Sequence, residues 1–148
     1  MLVVSDFLDQ ITIALHEEFG SGYKYYVEEV EQKASKPCFV VGTLNPMITS
    51  RNPTVYRRVV PVVVHYFTNK KNTVNAKEDC YSIAERLWNK LEYLSDGEHI
   101  VRGEEMYWEI VEGVLQFFIT YTFDVERVID ETLMEEGTLN GTQIPNET

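Results

Sequence analysis

Residues 106–125, MYWEIVEGVLQFFITYTFDV, decide the fold. Two apolar runs meet at Glu112-Gly113, and so short a link is a hairpin signal, with Gly113 supplying the positive φ that a tight turn needs. Leu115, Phe117, Ile119, Tyr121, Phe123 and Val125 recur at period two and share one face. Gln116, Thr120, Thr122 and Asp124 share the other face with Val114 and Phe118. Burying the first set, at roughly 1.5–3 kcal/mol per large side chain, makes it the floor of a core.

Working outward, the spacing predicts further strands over Tyr23–Val30, 37–44, 54–67 and 99–111, with the last strand running 114–128. A polar turn is expected at Glu31–Lys36, and 45–53 (NPMITSRNP) reads as a loop with Asn-Pro at both ends. Pro61, inside the 54–67 run, predicts an edge position or a bulge, because a central strand would lose a ladder bond there.

Two amphipathic helices complete the pattern. The first spans 4–19, with Val4, Phe7, Leu8, Ile11, Ala14, Leu15 and Phe19 as its stripe and Ser5 as N-cap. The second spans 76–94, opened by Asn75 and Glu78 as a capping box and closed by Ser95-Asp96-Gly97. The order α-β-β-β-α-β-β points to an α+β single domain, a largely antiparallel five-stranded sheet with both helices on one face. Its expected extent is 1–129, with 130–148 an acidic, disordered tail.

In the 54–67 run, Val55, Val59, Val63 and Phe67 point one way, and Val60, Val62, Val64 and Tyr66 the other. A sheet with one solvated face should alternate apolar and polar residues, and this strand does not. Two helices cover only one side of five strands. A fold-back of the first hairpin or a second subunit is left to cover the other side. The residues assigned to such an interface are Asn45, Pro46, Arg51, Arg57, Arg58, Val60, Val62, Val64, Tyr66 and Phe118. Arg57 and Arg58 are adjacent and so point to opposite faces, fitting either edge solubilisation or an ion pair between subunits.

The net charge of −11 is that of an acidic body without a Lys/Arg stripe, which argues against a grip on phosphate backbones. Cys38 and Cys80 lack ligand spacing and read as reduced, buried thiols. His16, His65 and His99 form no metal-ligand pattern, and neither a nucleophile elbow nor a glycine-rich phosphate loop is present. No cofactor, no metal and no catalytic group is expected. No leader peptide or membrane-length apolar run is read.

Four blocks, KPCFVVGTLNP (36–46), VVVHYF (62–67), CYSIAERLWNKLEYL (80–94) and VRGEEMYWEIVEGVLQFFITYTFDV (101–125), together resemble the small tail terminator proteins of long-tailed phages and prophages of Gram-positive bacteria. The likeness covers residues 1–128 and rests on the order and spacing of the blocks. It implies a virion structural protein, assembled in the bacterial cytoplasm, that forms a homo-oligomeric, generally hexameric ring at the head-proximal end of the tail. Such a ring caps the tail tube protein, stops its polymerisation and presents a surface to the head–tail connector, with DNA only as passing cargo. In contractile-tailed relatives it also meets the sheath. Two other readings stay open: a head-completion or neck connector protein, and a small-ligand cytosolic enzyme with a cleft beside Trp88 or Trp108.

Overall fold

Residues Val4–Phe19 form α1, whose buried stripe is Phe7, Leu8, Ile11, Ala14, Leu15 and Phe19. A single 3-10 turn at Gly20–Gly22 ends it, with Gly20 at φ 80°. The computed structural model describes residues 4–29, 35–95 and 99–127. The expected tail 130–148, residues 31–34 of the expected polar turn and Asp96-Gly97 of the expected helix stop lie outside the described residues.

The second helix, α2, runs Thr73–Leu91, three residues earlier at each end than its periodicity suggests. Its N-cap is Asn72, not Asn75: the Asn72 side-chain oxygen accepts from the amides of Val74 and Asn75 at 2.9 and 3.2 Å. Leu94, expected on the helix stripe, is buried from a short strand instead.

Seven strands replace the five expected: β1 (Lys24–Val27), β2 (Cys38–Thr43), β3 (Met47–Ser50), β4 (Val55–Phe67), β5 (Tyr93–Ser95), β6 (Ile100–Val111) and β7 (Val114–Glu126). Their order is β1-β2-β4-β7-β6-β5, with β3 also on β4. All pairs are antiparallel except β1 with β2. β5 occupies what reads as the end of the second helix. β3 occupies the middle of the expected loop 45–53.

β2 and β3 are one strand with a slip in it. Thr43 pairs with Val62 and Met47 with Val59, so one extra residue is accommodated between them, at Leu44-Asn45-Pro46. Asn45 takes φ 45°, a left-handed conformation that Asn tolerates. This slip explains Pro61. β4 is central, not an edge, yet the Pro61 carbonyl accepts from the Leu44 amide at 3.0 Å and the Thr43 hydroxyl at 2.8 Å. In an antiparallel strand a residue's nitrogen and oxygen face the same neighbour, so the missing N–H faces the irregularity and costs no bond to β7.

The hairpin between β6 and β7 is the two-residue link expected. Val111 pairs with Val114, and Glu112 and Gly113 take φ 51° and 79°, as a type I′ turn requires. A bulge between Glu104 and Tyr107, with Glu105 at φ 52°, shifts the register of β6.

Both helices lie on one face of the sheet. There Leu115, Phe117, Ile119 and Tyr121 of β7 stand opposite Tyr66, Val64, Val62 and Val60 of β4, and all eight are buried. Phe7 of α1 meets Tyr121 edge-on at 4.9 Å and stacks on Phe123 at 5.4 Å. The Tyr121 hydroxyl donates to the Leu91 carbonyl at 2.6 Å, tying β7 to the end of α2. Burial pushes the Tyr121 phenol well above its ordinary range, so it stays a donor.

Candidate interaction surface

The pairing register settles which residues share the face away from the helices. Across it run Gly42, Val63, Phe118 and Tyr107 in one row, and Val40, His65, Gln116 and Glu109 in the next. Thr120 and Glu104 extend from Pro61, and Thr122 from Val59. None of the contacts made by α1 or α2 falls on these residues' side chains among the ring pairs and hydrogen bonds of the described residues. Phe118 and Tyr107 instead stack on each other, centroids 4.6 Å apart and planes 15° from parallel. Val63 and Val40 are nonetheless buried, with the Glu28 carboxylate lying over Gly42 beside Val63, while Tyr107 is 59% exposed. Burial lowers the His65 pKa below its ordinary value, so the imidazole is held neutral between Val40 and Gln116.

The register also sorts the residues assigned from sequence to an interface. Phe118 lies on the open face. Val60, Val62, Val64 and Tyr66 do not: they lie under the helices, at 1% exposure or less. The Tyr66 hydroxyl donates to the Asp79 carboxylate of α2 at 2.6 Å, which confirms its side. The open face of β4 is the odd-numbered set, including Val59 and Val63.

The two arginines divide as adjacent strand residues must. Arg58 is buried on the helix side, opposite Phe123. Arg57 is exposed on the open side, with its Nε 3.1 Å from Asp124 of β7 in the same chain. Asn45, Pro46 and Arg51 are exposed around β3.

Sequence reasoning missed Tyr107, Met47 and Ile48. Met47 and Ile48 are 57% and 60% exposed on a strand whose every side chain is exposed. The signal available was the run Leu44–Ser50, which carries no charge at all.

A family model described as "Phage tail terminator protein" matches residues 6–133. The chain belongs to that family. No curated protein matches it. Among solved structures, one chain is similar at 14% identity and a TM-score of 0.39, covering 82% of this chain and 96% of its own. At that distance the likeness says nothing about function.

The terminator family is structural. The cleft beside Trp88 and Trp108 has a volume of about 250 Å³ and is walled by Ala84, Glu85, Met106 and Phe117. Glu85 is the one carboxylate in that wall. No group of three or more His, Cys, Asp or Glu able to hold a metal occurs among the described residues. Burial raises the thiol pKa of both Cys38 and Cys80, as suits unreactive core residues.

Proposed function

We propose that this tail terminator assembles as a ring on the head-proximal end of a completed tail tube. It acts sterically, covering the surface that would recruit the next tube subunit and offering a new surface to the head-side connector. The observation that carries this reading, beside the family, is the sheet face of Val59, Phe118 and Tyr107, which neither helix covers and from which Tyr107 stands 59% exposed. Monomeric proteins rarely leave a contiguous apolar face uncovered unless something docks there.

Tube contacts fall on this face, and subunit contacts on the largely exposed segment from Asn45 to Arg57. DNA traverses the ring without being gripped, as suits a net charge of −11. The test is loss of the gene. A terminator's loss gives overlong tails, whereas tails of normal length beside unjoined heads would instead mean a neck connector.

A further inference from the structure

Charge is distributed across the sheet with a direction. Residues 32–77 contain eight Lys or Arg and no Asp or Glu, in a chain whose net charge is −11. Of these, Arg51, Arg57 and Arg58 lie on β4 and the turn that leads into it from β3, whereas Lys70, Lys71 and Lys77 line a cleft shared with Glu112 and Gly113. On the opposite side, β6 and its turn carry Glu104, Glu105, Glu109 and Glu112 against Arg102 alone. The β3 end of the sheet thus carries arginines, and the β6 edge carries glutamates.

Each side also ends in a bare strand edge. Among the described residues β3 pairs only with β4, and β6 beyond Gly103 pairs only with β7. The Arg51 amide donates to the Val55 carbonyl at 2.9 Å, so Arg51 faces β4. Alternation then turns the backbone N–H and C=O of Ile48 and Ser50 outward. Native edges are normally guarded by charge, proline or a bulge. β3 has none of these between Met47 and Ser50, and it presents two large apolar side chains. β1, which among the described residues pairs only with β2, carries Lys24 and ends at Val27, just before Glu28 at φ 73°.

We propose that copies of this chain join head to tail through these edges, the β3 edge of one adding to the β6 edge of the next. The inference rests on the ring reading and specifies its contact. Through β4 and β7, β3 is antiparallel to β6, so copies related by rotation bring the two edges together antiparallel. The edges are offset: β3 lies beside residues 56–59 of β4, the bare part of β6 level with 61–67. Such an offset is what tilted strands in a sheet that closes on itself require. A contact between unlike surfaces generates a ring where the rotation closes. Opposite charges favour Arg51, beside β3, against the glutamates of β6 over β3 against β3, which would set arginines together. The open face, not consumed by subunit contacts, is left for the tube.

The test compares Ile48→Pro, which deletes an outward donor and spares the β4 ladder, with Ile48→Thr, which keeps it. Assembly of the full-length protein is followed by sedimentation and native mass spectrometry, alone and with purified tail tubes. Ile48→Thr is expected to assemble like the wild type, and Ile48→Pro to need at least about tenfold more protein. Hydrogen exchange on the wild type guards against a misfolded variant: amides in 47–50 and 105–111 are expected to gain protection together on assembly. Normal rings from Ile48→Pro would overturn the edge pairing and leave the ring standing. Protection of 24–27 instead, or of 47–50 without 105–111, would overturn it too, as would protection of 47–50 by duplex DNA alone. A wild type that stays monomeric even on tubes would remove the ring reading itself.

Discussion

Phe118 and Tyr107 stack at 4.6 Å on the side of the sheet that neither helix reaches. Phe118 is half-buried by its strand neighbours, and Tyr107 covers its ring from β6 while remaining largely exposed. An aromatic pair with one solvent-facing member contributes more to docking than to folding. Tyr107→Ser should therefore cost under about 1.5 kcal/mol of stability by chemical denaturation, yet reduce tail capping measured by tail-length distribution in complementation. Normal tail lengths with this variant would remove the open face from the contact.

Tyr121→Phe deletes the hydroxyl that donates to the Leu91 carbonyl at 2.6 Å in the buried core. Leu91 is the last residue of α2, where carbonyls lack helical partners, so the acceptor is left buried and unpaired. A loss of about 1–3 kcal/mol is expected in urea denaturation. A neutral result would mean that the end of α2 finds another donor.

Gly103 is glycine for reasons of space. A Cβ there would come within 2.6 Å of Ile119 Cγ1 and 3.1 Å of the Tyr121 ring, both fully buried. Gly103→Ala should cost roughly 1–3 kcal/mol by overpacking. Ile119→Val in the same chain should recover part of that loss, since it removes a methyl from the point of collision. Additive losses in the double variant would argue against the clash as cause.

The His65 pKa is depressed by burial, which sets the sign of a pH effect. Above the unfolded value near 6.5 both states are neutral and the site costs nothing. As pH falls through that value the unfolded chain takes up the proton first, so stability is lost down to the lower folded pKa. Denaturation midpoints between pH 8 and 5 should fall less steeply for His65→Gln than for the wild type. An identical slope would assign the acid sensitivity to other groups.

The fold class was legible because its strongest signals are local. The α1 stripe and the Glu112-Gly113 turn each follow from periodicity or φ preference, and both stand where expected. β3 was hidden because Asn45-Pro46 and Asn52-Pro53 announce turns on both sides of only four paired residues. The β4 faces were misassigned for a different reason. A strand apolar on both sides carries no parity of its own; its facing is inherited from β7, where the buried Leu115, Phe117, Ile119 and Tyr121 alternate with Gln116, Phe118 and Thr120. Pairing Val64 with Phe117 settles the matter, and that pairing is a long-range fact. Tyr107 escaped because the bulge at Glu105 reverses the alternation of β6 partway along its length.

The ladder between β4 and β7 joins Val55 to Glu126 and Phe67 to Val114, so the middle of the sheet is closed by the two paired strands farthest apart in sequence among the described residues. During synthesis β2, β3 and β4 emerge well before β7, and the edge of β4 that β7 takes waits unpartnered while α2, β5 and β6 are still being made. Loops of that span close slowly, and an apolar strand without its mate is prone to wrong partners. Each nascent copy is thus exposed to its neighbours before the hairpin at Gly113 delivers the strand that completes it.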